Sequence, residues 1–239
     1  MALYDTQRAT EARTIYGGHD ACACGLGQLA HSLWLTGQTH ESDRVLRQMI
    51  QFVNGISHLP SKAHSLDVEA VAAFYRNDYN RLTAVSEEMS EFAQQHEMQS
   101  LAGLSLLFGG WAEAHLGNVA SGYERFCKGF DLLGELGTVV DLPIYLSMQA
   151  AMLGLDGKVD RAIEVASQAI LEARETGHAY WLAELYRVRA MLRARSGAMR
   201  NLVMEDLHVA AETARTQGAA ALQRRIEQSL EELGLVVDR

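Results

Sequence analysis

The chain has 239 residues, 48% hydrophobic and 21% charged, with a formal net charge of −9. That is enough apolar material for a buried core, which excludes a disordered chain, and the acidic balance makes nucleic acid a poor partner for the chain as a whole. No window approaches the ~18–20 unbroken apolar residues of a membrane span. Three cysteines, Cys22, Cys24 and Cys127, with no secretory leader ahead of them, point to reduced thiols and a cytoplasmic protein.

Residues 1–18 read as a lead-in. Asp5 or Thr6 can cap a small helix through Arg13, and Gly17-Gly18 ends it. Helices are then expected over 20–35 and 40–53, closed by Asn54-Gly55. Leu59-Pro60-Ser61 is a stop-and-cap signal, after which helices run to Arg76 and over 81–95. Further pairs follow at 99–116 and 119–136, 141–155 and 160–176, and 180–195 and 200–216, with Gly137, Gly177 and Gly218 as stops. A last helix at about 219–233 carries Leu222, Ile226, Leu230 and Leu233 on one face and Arg, Glu and Gln on the other, as a capping helix would. No alternation of apolar and polar residues persists long enough to compete as strand.

Three columns recur every 40 residues. Gly37, Asn77, Gly117, Gly157 and Gly197 are the residues that tolerate a left-handed turn. Seven positions earlier stand Ala30, Ala70, Gly110, Ala150 and Ala190, all small enough for two helices to cross closely. Four before those stand Leu26, Leu66, Leu106, Leu146 and Tyr186, all large and apolar. A helical hairpin repeated five times explains all three columns, where a globular bundle would need coincidence. The phase, small residue then turn glycine, is that of tetratricopeptide repeats; their usual period is ~34 residues, and HEAT repeats run to ~40–47. The phase favours a long-helix tetratricopeptide relative. The expected fold is therefore all-α: a right-handed superhelix of about five tetratricopeptide-like hairpins (19–58, 59–98, 99–138, 139–178 and 179–218) plus a capping helix at 219–234. Each hairpin is too small to bury its own apolar stripe, so neighbours must stack.

Tyr16 to Gln38, YGGHDACACGLGQLAHSLWLTGQ, resembles a segment in the tetratricopeptide-like C-terminal region of large bacterial signalling proteins. These are class III adenylate or guanylate cyclases fused to an ATPase, and ATP-binding transcriptional activators of the LuxR type. Ala2-Leu3-Tyr4-Asp5, the run from Tyr180 to Arg187, and the segment from Ala211 to Ala219 are similar to other parts of the same region. Ala21 replaces the usual proline after His-Asp, and Ser42 and Asp43 stand where Ala and Leu are more usual. The resemblance implies a sensor or scaffold arm apart from its catalytic partner domain. The sequence itself carries no GxxxxGK[ST] phosphate loop, no paired metal-binding aspartates of a cyclase and no helix-turn-helix.

Local chemistry is sparse. His19, Asp20, Cys22 and Cys24 cluster, but a zinc site wants two ligand pairs, and no second pair lies nearby. The cysteines read as packed thiols and Asp20 as a helix cap, so neither a metal nor a cofactor is expected. No GxSxG elbow supports a nucleophile, and no enzyme is expected. Arg187, Arg189, Arg193, Arg195 and Arg200 form either a solvated face that complements acidic neighbours or a site for an anion or acidic peptide. In tetratricopeptide stacks the first helix of each pair lines the concave face. Carried over by register, that face gathers Cys24, Gly27, His31, Trp34 and Leu35; then His64, Asp67, Val71, Phe74 and Tyr75; then Leu104, Leu107, Trp111, Ala114 and His115; then Ile144, Ser147, Ala151 and Leu155; then Glu184, Arg187, Met191 and Arg195. His31, Trp34, His64, Tyr75, Trp111, His115, Glu184 and Arg187 are the candidate contacts, aromatics with a few charges as binding grooves use them. Trp34, Phe74 and Trp111 have core packing as their competing role. The expected partner is a protein, a peptide or a neighbouring domain held in the groove. The alternative is a small-molecule effector, which needs a closed pocket rather than an open trough.

Overall fold

The computed structural model describes residues 4–5, 8–9, 11, 18–138 and 141–235. Ala2, Leu3, Thr6, Arg13, Tyr16 and Gly17 of the lead-in, and positions 139 and 140 at the start of the fourth unit, lie outside them. The described residues form helices joined by short turns, with no strand. The hairpins are α1 (Ala21–Leu35) with α2 (Thr39–Asn54), α3 (Leu59–Tyr75) with α4 (Tyr79–His96), α5 (Gln99–His115) with α6 (Val119–Glu135), and α7 (Leu142–Leu155) with α8 (Val159–Glu175). A 3-10 turn (Ala179–Trp181) leads into the fifth, α9 (Leu182–Arg195) with α10 (Arg200–Gln217), and α11 (Ala220–Glu232) ends the array.

The five turns close alike. Gly37, Asn77, Gly117, Gly157 and Gly197 all have positive φ, from +52° at Asn77 to +110° at Gly117. The next residue's N–H then reaches back to a carbonyl in the last helical turn, as Gln38 does to Leu33 and Asn118 to Glu113. This satisfies orphan C=O groups at each helix end. The small-residue column lies at the crossings: Ala30, Ala70, Ala150 and Ala190 are at most 1% exposed. In the third hairpin the two backbones nearly touch, and a Cβ on Gly110 would sit 2.5 Å from both the Gly122 carbonyl oxygen and the Phe126 nitrogen. In the large-residue column Leu26, Leu66 and Tyr186 are buried, while Leu106 and Leu146 are partly so.

Units are joined by stacking and by specific bonds. α1 packs on α3, α3 on α5, α5 on α7 and α7 on α9, so the first helices form one inner layer. Ser42 and Asp43 have clear uses. The buried Ser42 hydroxyl donates to the Ala30 carbonyl at 2.7 Å, and Arg76 of the second hairpin pairs with Asp43 at 2.7 Å. The α1 cap is Asp20, whose Oδ1 accepts from the Cys22 N–H and whose Oδ2 accepts from the Tyr4 hydroxyl. Near the lead-in, the Arg8 N–H donates to Asp5 Oδ1.

Three local expectations change. α3 starts at Leu59, with Pro60 in its first turn, so the Leu-Pro-Ser signal opens the helix instead of preceding it. The fifth unit enters through a 3-10 turn rather than directly as α-helix. Three of its five arginines serve internal ion pairs: Arg189 and Arg193 clamp the buried Asp206 at 2.6 and 2.8 Å, and Arg187 holds Glu184.

The last helix does more than cap. Leu222, Ile226 and Leu230 bury its apolar face, as the pattern predicts. Its polar face does not simply meet water, because Arg225 turns inward. α11 packs on α10 and α9 and also touches α1, and its Ala220 and Arg224 abut the first turn at Gly37. The end of the array thereby returns to its beginning.

Candidate functional site

The inner layer encloses a cavity of about 340 Å³. α1 contributes Gln28, His31, Ser32 and Leu35; α3 contributes His64, Asp67, Val68, Val71, Phe74 and Tyr75. Phe108 of α5, Ile144 and Tyr145 of α7, Asp141 just before α7, and Tyr180 of the 3-10 turn complete it. Five aromatic rings and two carboxyls therefore face one small space. Tyr180 donates its hydroxyl to Asp141 Oδ1 at 2.9 Å. Asp67, in contrast, has no hydrogen-bond or ion-pair partner among the described residues.

A second cavity of about 250 Å³ lies on the other side of an aromatic wall. Trp111, His115, Ser147, Trp181, Glu184, Arg187, Arg225 and Glu232 are among its lining residues. The wall is a stack: Trp34 on Tyr75 with ring centres 4.8 Å apart, and Tyr75 on Trp181 at 5.0 Å. Arg225 locks it. Its guanidinium lies 5.3 Å from the Trp34 ring and 5.7 Å from the Trp181 ring, donates to the Tyr75 carbonyl at 2.6 Å, and pairs with Glu184 at 2.7 Å. Tyr75 is the last residue of α3, so a cation there also meets the negative end of that helix.

The titrating groups sort by burial. Burial, then Asp141, pushes the Asp67 carboxyl from an ordinary 3.8 up to about 7. Burial lowers His64 to about 4, aided by His19 and His31, and lowers His31, which bonds the Val68 carbonyl through Nε2 at 3.1 Å. Both rings are therefore neutral near pH 7, and burial likewise raises the Tyr75 and Tyr145 phenols. The cavity thus holds acidic groups with no cationic side chain among those lining it.

Asp67 sets a pH dependence. Above 3.8 the unfolded chain releases a proton that the folded chain keeps, so this group turns against folding as the pH rises towards about 7. Asp67→Asn removes that term. Its stability relative to the parent is expected to rise by about 1–3 kcal/mol between about pH 4 and about pH 8, less than the full shift because the cavity admits solvent. Urea unfolding at both pH values checks it; parallel curves would place Asp67 in an ordinary solvated setting.

Most of the residues expected on the inner face line these two cavities. His31, His64 and Tyr75 line the larger cavity, and Trp111, His115, Glu184 and Arg187 line the smaller. Trp34 lines neither; it is buried in the wall. The expected single groove is thus two cavities. Trp111 is 6% exposed, edge-on to Phe74, and belongs to the core as well as to a cavity wall. Sequence reasoning missed Asp141, Tyr145, Tyr180, Trp181 and Arg225. Tyr145 and Trp181 sit on inner-layer elements, where a wider reading of the same register could have found them. Arg225 gave no signal, since it looks like any solvated residue of a polar helix face.

No known protein-family profile matches the chain. Over all of its length the chain is 60% identical to an uncharacterized protein of Rhizobium meliloti (strain 1021), and it spans 23% of that protein's length. Among the described residues no helix is long and apolar enough to cross a membrane.

Proposed function

We propose that this chain is a non-enzymatic, tetratricopeptide-like sensing arm of a larger cytoplasmic regulator, and that it holds a small organic cation in the larger cavity. The observation that carries this reading is the Asp67 carboxyl, which lines an aromatic cavity and has no hydrogen-bond or ion-pair partner among the described residues. An ammonium group there would meet Asp67 and Asp141 at one end and the faces of Phe74, Tyr75, Phe108 and Tyr145 around it, the arrangement used for cationic ligands. Division of the inner face by the Trp34–Tyr75–Trp181 stack argues against an extended peptide lying along it. A protein partner then docks elsewhere, and the much longer relative makes a neighbouring domain the natural one. The ligand would touch four successive hairpins and the wall that Arg225 locks, so occupancy would tighten the closure of the array. Signalling in the manner of the cyclase and LuxR-type proteins is the pathway this role fits.

The test is a thermal-shift screen of metabolites grouped by charge, followed by calorimetry. Organic ammonium compounds are expected to raise Tm, more so as the pH climbs past about 7 and Asp67 ionises, and Asp67→Asn is expected to abolish the effect. Stabilisation by anionic compounds alone, or a shift that survives Asp67→Asn, would remove the cation assignment. No response from any class, together with tight binding of a peptide that Trp111→Ala weakens without unfolding the chain, would return the groove to the peptide reading.

A further inference from the structure

We propose that His19, Cys24 and His64 form a Zn²⁺ site at the rim of the larger cavity, with one coordination position left for water or a donor atom of a bound molecule. One ring nitrogen from each histidine and the Cys24 sulfur all lie within 4.8 Å of one another. The three residues come from separate places: His19 from the turn before α1, Cys24 from the first turns of α1, and His64 from α3 in the next hairpin. The His19 and His64 rings lie face to face, with centres 4.1 Å apart and planes 13° from parallel. His64 Nε2 is buried and has no hydrogen-bond partner among the described residues. A buried imidazole nitrogen left unbonded costs stability, and a metal ion or a proton donor would relieve it.

The donor set chooses the ion. One thiolate and two neutral imidazoles suit Zn²⁺, whereas Mg²⁺ and Ca²⁺ require oxygen ligands. Zn–S of about 2.3 Å and Zn–N of about 2.0–2.1 Å put tetrahedral ligand atoms ~3.5 Å apart, so the three groups must close by about 1 Å. Splaying the stacked rings and moving the short turn at His19, which follows Gly18 at φ +86°, provide that closure. Asp20 is not the fourth ligand, because its two carboxylate oxygens already cap α1 and bond Tyr4. Three protein ligands with an open position are the pattern of zinc sites that bind or activate a further molecule. His64 also lines the cavity, so the site adjoins it. The ion would also staple the first hairpin to the second.

The experiment titrates the metal-stripped full chain with Zn²⁺ against a chromophoric chelator and repeats it with Co²⁺ in an optical cell. One Zn²⁺ per chain is expected, with a cobalt–thiolate charge-transfer band and tetrahedral visible absorption. Cys24→Ser and His19→Gln should each weaken Zn²⁺ binding beyond the about 10–100-fold typical of changes outside the ligand shell. His19 is half-buried in a turn, so His19→Gln keeps the test decisive if Cys24→Ser fails to fold by circular dichroism. Absence of the thiolate band, or Zn²⁺ affinity unchanged in His19→Gln, would overturn the site; retention of the band in a folded Cys24→Ser chain would move the metal to Cys22 or Cys127.

Discussion

Glu184→Ala is expected to lower the unfolding free energy by about 3–5 kcal/mol, as loss of one partner from a buried ion cluster does. Glu184 is only 6% exposed, and two arginines converge on it. Arg187 makes a bidentate pair at 2.8 and 2.9 Å, and Arg225 adds a third bond at 2.7 Å. Burial by itself would raise this carboxyl, but the two guanidiniums outweigh it and hold it at about 2. Its stabilisation is therefore complete above the ordinary value of 4.5 and fades as the pH falls towards about 2. Removal of the carboxylate leaves two largely buried guanidiniums without the partner they share. It also removes the ion pair by which Arg225 of α11 is held to α9, which weakens the lock on the Trp34–Tyr75–Trp181 wall and leaves Arg187–Ser229 as a remaining polar tie. Equilibrium urea unfolding gives the size of the loss, and limited proteolysis shows whether α11 is freed first. A loss below about 1 kcal/mol, the range of a surface pair, would mean that Arg225 does not hold the closure. The double variant Glu184→Ala, Arg225→Ala should lose less than the sum of its parts, because the two residues share one network.

Gly110→Val is the second severe change. Here the obstacle is backbone: the Gly122 carbonyl and the Phe126 nitrogen occupy the space a Cβ would need, both at 2.5 Å. Gly122 and Gly129 meet α5 in the same way, so α5 and α6 touch along three points rather than one. A side chain can turn aside, but a helix must move as a whole, which separates the pair and opens the core around Phe126 and Leu107. The expected cost is about 3 kcal/mol or more, at or beyond the usual range for overpacking. Gly25→Ala is the contrast. A Cβ at that exposed position in α1 meets nothing within 4 Å, so the substitution should add about 0.5–1 kcal/mol through helix propensity. Thermal and urea unfolding of the two variants side by side tests the crossing argument. Tolerance of Gly110→Val would mean that the helices are farther apart than these contacts require.

The repeat was legible because its determinants are local and recur. A residue able to adopt positive φ is needed at each hairpin turn, and a small residue at each crossing, so five copies print the same two letters at fixed spacing. Helix limits followed to within a residue or two from Gly, Pro and the apolar stripe. Ser42 and Asp43, odd in the sequence, became intelligible only beside the Ala30 carbonyl and Arg76. The arginine-rich stretch was ambiguous until Asp206 was seen buried between two of its members.

Hairpin geometry was thus determined by the sequence alone, since it depends on neighbours a few positions away, whereas the inward-facing helices were inferred by likeness to tetratricopeptide stacks. How the inner face is partitioned was decided by the tertiary structure. Arg225 meets Trp34 and Tyr75 only because the array curves round until its last helix reaches its first hairpin. His64 joins His19 and Cys24 only because two hairpins stack in one register. The Arg225 contacts depend on accumulated curvature, a small rotation summed over every repeat, and no single residue spacing records such a sum.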